Sequence, residues 1–325
     1  MKHLKEKEKR PNIFKRLFLS YIPNKNDNFG QIVVKLLFII SLIALIISSG
    51  YVANYFLAAK KQENILDDTR KIWHASVADH TESSMPSEPT QKQIAASKTL
   101  LEENPDYIAW IRISNTKVDN PVYQRDDNDY YLTHNQNGAK SAYGAVYIDY
   151  RNTVKQEHTD RNLVIYGHEM KNGSMFGTLK RLRNIDFYKR NHIIDFSTLY
   201  QNNLYKIYAI FVLNASRADD NDYMYNIYMK NFSNETAFNA WRDEALQRSV
   251  LNTGVDVNYH DDVITLVTCC NDFENARLVV MARKLRDGES TDIDTSLVSV
   301  NPNPRYPKAW YDKKGLAYPD FSSKQ

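Results

Sequence analysis

The chain has 325 residues, 42% of them hydrophobic and 25% charged, which fits an ordinary globular fold of one sizeable domain or two small ones. A net charge of +3 is too small to argue for nucleic-acid binding. The basic excess is local: residues 1–35 carry Lys2, Lys5, Lys7, Lys9, Arg10, Lys15, Arg16, Lys25 and Lys35 against only Glu6, Glu8 and Asp27. The only two cysteines, Cys269 and Cys270, are neighbours. They make no disulfide framework, since a bond between adjacent residues is strained, and they suit no structural zinc site. At least one is read as a free thiol.

Residues 1–31 form a basic segment expected on the cytoplasmic side. Gln31–Leu57 is the one long hydrophobic run, without charge from Leu36 to Val52. Crossing a bilayer core takes roughly 20 apolar residues, and residues 32–57 are read as a signal-anchor helix. Tyr51, Tyr55 and Phe56 lie at the end where aromatic rings favour the interface, and the basic residues lie at the other. The positive-inside rule therefore puts the N-terminus in the cytoplasm and the rest outside. A cleaved signal peptide would have a shorter core and a shorter leader. A buried core helix would show an amphipathic pattern, and the run has none. The chain has no second hydrophobic span and is read as single-pass.

Residues 58–103 read as an extracellular helical linker. Ala58–Arg70 and Gln91–Glu103 are rich in helix formers, and the Ser, Thr, Pro and Glu of residues 76–90 mark a loop between them. From Asn104 the pattern changes to short strands: Tyr107–Ile113, Val118–Gln124, Ala145–Ile148, Asn162–Tyr166, His192–Phe196, Leu204–Leu213, Val263–Thr268 and Arg277–Ala282. Pro121 suggests an edge or a bend in the second. Ser174–Arg183 reads as a short helix. Ser233–Ser249 is a clearer one, with Phe238, Trp241, Ala245 and Leu246 along one face. Roughly eight strands with one inserted helix predict a mostly β fold, a closed or nearly closed barrel over residues 104–286. Residues 287–325, with Pro302, Pro304, Pro307 and Pro319 and several aromatics, read as an extended or partly ordered tail.

Three residue types suggest chemistry. His168 ends a strand and precedes a polar, glycine-bearing loop, a position that favours a cleft. Of the eight histidines, His134, His192 and His260 are plausible but lack a glycine-flanked strand end. Most free cysteines behave as small buried hydrophobes, but a pair at a strand end beside a polar turn is more suggestive. Strand alternation sends Cys269 and Cys270 to opposite faces, so at most one enters a given cleft. Arg277 begins the next strand. There it is placed to stabilise an oxyanion or favour a thiolate, although Arg283 lies on the same strand face.

These residues carry a resemblance. TLVTC at Thr265–Cys269 resembles the TLxTC signature of sortases, and Arg277 sits where that family has its catalytic arginine. LVIYGHEMKNGSMFGTLKR, Leu163–Arg181, resembles the histidine region of class B sortases. NPDYIAWIRI, VDNPVYQ, GAVYIDYRN and the Ser233–Ser249 helix before the cysteine strand are similar to further class B landmarks. The resemblance implies an eight-stranded sortase-type β-barrel with N-terminal helices and the inserted helix. It also implies a cysteine transpeptidase of Gram-positive bacteria that needs no metal or organic cofactor. Cys269 would attack the carbonyl of a C-terminal sorting motif on a secreted surface protein. Arg277 would hold the carbonyl oxygen and His168 would move the protons. A peptidoglycan amine would then resolve the thioester. Thr268 and Tyr166 are expected to bind substrate. The family usually has a single cysteine here, so Cys270 is a departure. Two other readings stand beside this one: a pilin polymerase joining subunits through a lysine, and a membrane-anchored binding module that has lost the chemistry. A papain-like hydrolase fits less well, because such enzymes place the cysteine before the histidine.

Overall fold

The strands expected between residues 107 and 282 close on one another. The computed structural model describes residues 20–77, 88–216, 223–319 and 321, and it falls into two compact units, Met1–Asn64 and Ile65–Gln325.

Most of the first unit belongs to helix α1, which runs from Phe29 to Val77. Asn28 starts it: its side chain accepts from the Gln31 N–H while the Gln31 side chain accepts from the Asn28 N–H, both at 2.9 Å. This reciprocal arrangement satisfies two helix-end donors at once. The most apolar stretch has a mean hydropathy of 2.7 and buries nothing, with Ile40, Ile46 and Ile47 all exposed. Among the described residues it is the one helix long and apolar enough to cross a membrane. Sequence patterning separates a span ending at Leu57 from a helix starting at Ala58, whereas α1 is continuous. The reason is local: no proline interrupts Phe29–Val77, and Ala58–Arg70 propagates a helix already begun.

In the second unit, the end of α1 packs on the barrel. Trp73 stacks on Trp110 at 5.2 Å, and Arg70 Nε donates to the Asp119 carbonyl at 2.8 Å. Helix α2, Gln91–Glu103, opens with a Thr90–Gln93 capping box and buries Ala96 and Leu100 in the same cluster.

The barrel comprises β1 (Tyr107–Arg112), β2 (Asp119–Tyr123), β3 (Val146–Ile148), β4 (Asn162–Tyr166), β5 (Ile193–Thr198), β6 (Asn202–Asn214), the short β7 (Leu251–Asn252) outside it, β8 (Val263–Cys269) and β9 (Ala276–Lys284). Its closed order is β1-β2-β3-β4-β8-β9-β6-β5, so the eight-stranded, mostly β architecture stands. Pro121 does not break it, because β2 pairs with β3 only through Val122 and Tyr123. At Pro121 the missing N–H faces no ladder partner on that side.

Short elements decorate the barrel. One helical turn, α3 (Tyr130–Thr133), follows β2. A 3₁₀ turn (Leu179–Arg183) and α4 (Ile185–Arg190) replace the single helix expected at residues 174–183. Helix α5, Glu235–Arg248, starts at Asn234, whose side chain accepts from the Ala237 N–H. Its buried face is Phe238, Trp241, Ala245 and Arg248. Leu246, expected on that face, is 36% exposed because it lies one position round the helix from Ala245. The segment after Arg286 is more ordered than its composition suggests. Strand β10, Ser299–Val300, pairs with β7, and helix α6, Lys308–Lys314, ends at Gly315 in the left-handed region. Its aromatics supply the packing that its few aliphatics do not: Tyr306 stacks on Trp310 at 4.1 Å and Tyr311 is buried.

Candidate active site

Two strand registers bring distant residues together. β4 and β8 run parallel with Tyr166 opposite Val267, so both strands end at the same rim of the barrel. His168 leaves β4 there and Cys269 ends β8 there. β8 and β9 then pair antiparallel with Cys269 directly opposite Arg277. His168, Cys269 and Arg277 line one cleft of about 340 Å³, together with the expected substrate positions Thr268 and Tyr166.

The histidine is held from the side of α3. Its Nε2 lies 2.7 Å from the Leu132 carbonyl oxygen. A carbonyl only accepts, so the Nε2 proton points there and Nδ1 is the nitrogen left to exchange a proton. Two glycines allow this approach. A Cβ on Gly167 would meet the Phe176 ring at 2.8 Å. Gly144, with φ of +54°, passes so close that a Cβ would lie 2.3 Å from the Tyr131 carbonyl oxygen and 3.1 Å from the imidazole.

The two thiols occupy different surroundings. Cys269 is exposed at the cleft. Cys270 is part-buried and does not line it. Burial pushes the Cys270 thiol up to about 12, and the Asp272 carboxylate it touches adds to the effect. Since the thiolate is the nucleophilic form, Cys270 is the poorer nucleophile at neutral pH. Asp272 is itself held below the usual carboxylate range: burial opposes this, but a bidentate pair to Arg183 at 2.7 and 3.0 Å outweighs it.

The two arginines of β9 also divide. Among the described residues, Arg277 makes one hydrogen bond, from Nη1 to the Ala276 carbonyl at 3.1 Å, and no ion pair. Its guanidinium keeps most of its donors for a ligand. The Arg283 side chain is 1% exposed and tied to Glu289 at 2.6 and 2.7 Å and to Asp256 at 3.3 Å. It does not line the cleft.

Thr268, next to the nucleophile candidate, is 3% exposed, and its hydroxyl has no hydrogen-bond partner among the described residues. Tyr166 points its hydroxyl at Asp149, 2.9 Å away.

Asp149 was not singled out by sequence reasoning, although it lies within the quoted GAVYIDYRN. It is 2% exposed and accepts from Tyr166, from Asn128 at 3.0 Å and from Arg151 at 2.7 and 2.8 Å. Burial would raise this carboxyl, but these hydrogen bonds keep it lowered. Arg151 in turn lies 4.0 Å over the Tyr228 ring. Asp149 thus fixes three cleft-wall side chains, Asn128, Tyr166 and Tyr228, without touching the cleft. Their convergence depends on β3 and β4 pairing, which one-dimensional patterning does not show.

A closed barrel that gathers a cysteine, a histidine and an arginine at one rim has the parts of a cysteine-nucleophile site. The sortase-domain family model matches residues 111–285, and the chain belongs to the sortase family of cysteine transpeptidases. It is 30% identical over 226 residues to sortase B of Listeria monocytogenes, covering 69% of this chain and 85% of that protein. To sortase B of Staphylococcus aureus it is 26% identical over 250 residues, covering 76% and 95%. Among solved structures, a mutant form of Clostridium perfringens sortase B superposes with a TM-score of 0.59 at 29% identity, covering 69% of this chain and 98% of that one.

Proposed function

We propose that this chain is a membrane-anchored sortase of class B type that cleaves a sorting motif through Cys269 and transfers the acyl group to a cell-wall amine. One observation carries the site assignment: Arg277 stands opposite Cys269 in register, and His168 follows the adjoining parallel strand by two residues on the same cleft. The Cys269 Sγ, as thiolate, attacks the carbonyl carbon of the scissile peptide bond. Negative charge moves to the carbonyl oxygen, where the Arg277 guanidinium receives it. The C–N bond breaks as His168, entering the cycle as the imidazolium, gives its Nδ1 proton to the departing amine and becomes neutral, leaving a thioester on Cys269. A second amine attacks the thioester and loses a proton to His168, and the thiolate departs, closing the cycle with one amide broken and one made.

Thr268 and Tyr166 bind the motif in this reading, since both line the cleft beside Cys269. The exposed apolar length of α1, with basic residues before it, supports a single-pass anchor with the barrel outside the cell. Residues 104–286 are the catalytic domain in this account.

The test is acyl transfer from a library of sorting-motif peptides to amine acceptors, using the full chain and separate Cys269→Ala and Cys270→Ala variants. Loss of transfer with Cys269→Ala alone is expected. Loss with Cys270→Ala alone contradicts the assignment.

A further inference from the structure

The turn that follows Cys269 is held from three sides. Asp272 is clasped by Arg183 of the 3₁₀ turn. Asn271 Nδ2 lies 3.5 Å from a carboxylate oxygen of Glu169, the residue after His168. The third side is the C-terminal segment. Lys313 Nζ donates to the Asn271 carbonyl at 3.3 Å, and the Tyr306 side chain reaches the Arg183 guanidinium that clasps Asp272.

That segment is built to stand where it does. Arg305 donates its backbone N–H to the Gln247 carbonyl, fixing the approach from α5. Tyr306 stacks on Trp310 at an interplanar angle of 3°, and Lys314 lies 4.9 Å from the same indole. Tyr311 packs edge-on to Trp310 and to Tyr318. The segment begins beyond the residues matched by the sortase family model, and none of its side chains lines the cleft. It is therefore neither part of the shared barrel nor a lid on the substrate. Arg305 ties it to α5, and two further side chains, Lys313 directly and Tyr306 through Arg183, reach the turn that joins the nucleophile strand to the arginine strand.

We propose that Tyr306 and Lys313 are positioning residues: the C-terminal segment braces the 270–275 turn and so sets Cys269 against His168 and Arg277. This rests on the reading of Cys269 as nucleophile. The physical case is that Cys269 is the last residue of β8, so its Sγ is placed by its ladder pairing with Arg277 on one side and by the turn on the other. A brace on Asn271 and Asp272 acts within three residues of that sulfur. Small displacements of a reacting atom are costly, with a shift of about 1 Å worth up to about 100-fold in rate.

The experiment uses the full chain in detergent and compares wild type with Tyr306→Phe/Lys313→Ala, which keeps the Tyr306–Trp310 stack. Three quantities are read: kcat and KM for acyl transfer, the iodoacetamide rate at Cys269 by site-resolved mass spectrometry, and the melting temperature. The expected result is a fall of about 10-fold in kcat and in the Cys269 alkylation rate, with KM and melting temperature unchanged. Restoring a cationic N–H donor to the Asn271 carbonyl in Tyr306→Phe/Lys313→Arg is expected to recover part of both rates. Wild-type rates in the double variant overturn the proposal. So does a loss that follows the melting temperature and is not recovered by Lys313→Arg. Deleting residues 305–325 gives a second reading, and its kcat should fall at least as far. If the thioester forms on Cys270, the functional reading fails instead, and the two failures are told apart by which cysteine carries the acyl group.

Discussion

The two ends of β9 carry the same side chain to different fates. Arg277 and Arg283 occupy one strand and one face by alternation, and each enters from a turn bearing carboxylates. At the Arg283 end, Asp256, Asp261 and Glu289 close round the guanidinium, and Lys206 and Arg286 join them in a network that pins the β9 exit. At the Arg277 end the nearest carboxylate-bearing turn gives its Asp272 to Arg183 instead. Among the described residues that diversion leaves Arg277 without an ion pair, and in the proposed reaction its guanidinium receives the developing oxyanion. The difference teaches that an arginine is made structural or reactive less by its strand position than by which carboxylates its neighbours have already claimed.

Exchanging the arginines for alanine one at a time tests this contrast. Arg283→Ala leaves a cluster of carboxylates without its central cation and should cost about 3 kcal/mol of stability, read by denaturant unfolding. Arg277→Ala should leave unfolding unchanged and lower kcat about 100-fold or more, the scale for losing an oxyanion donor. If Arg283→Ala spares stability and abolishes transfer, the roles are reversed. Asp149→Asn keeps the shape of the buried hub but weakens its charge-assisted bonds to Tyr166, Asn128 and Arg151. It should lower kcat/KM by about 10-fold, with each of those bonds worth about 1.5–3 kcal/mol at most.

A pH experiment sharpens the structural end further. Burial alone would raise the Glu289 carboxyl, but hydrogen bonds from Arg283, Lys206 and the Arg286 N–H bring it from 4.5 down to about 2. A lowered carboxyl contributes stability above its ordinary value and loses it as pH falls towards the folded value. Glu289→Gln should therefore flatten the acid limb of unfolding between about pH 4.5 and 2, relative to wild type. The smallest effect expected is from Cys270→Ser, which should change transfer less than about 3-fold, since removing one buried thiol contact is worth under about 1 kcal/mol.

Much of this layout is legible in the residues themselves. The β-branched runs mark the strands, and the paired cysteines, the glycine–histidine and the following arginine mark the cleft. What patterning misses is what depends on pairing across the sheet. Asp149 becomes a hub only because β3 lies beside β4, bringing Tyr166 within reach of the carboxylate that follows β3. Leu132 matters only through its carbonyl, which no side-chain pattern reports. Composition also misleads after Arg286: prolines and few aliphatics suggest an extended tail, yet stacked aromatics and a β7–β10 pairing hold it to the barrel. The break expected between a span at residues 32–57 and a following helix is absent for the opposite reason, since nothing in the sequence stops α1 once it has started.

The central claim is that Cys269, and not the thiol beside it, carries the acyl group. The most direct measurement is mass spectrometry of proteolytic fragments after the full chain has been mixed with a sorting-motif peptide and quenched in acid before an amine is added. The account predicts a thioester mass on Cys269 with Cys270 as free thiol, and no adduct in Cys269→Ala. A thioester on Cys270, or an adduct that survives Cys269→Ala, would contradict it.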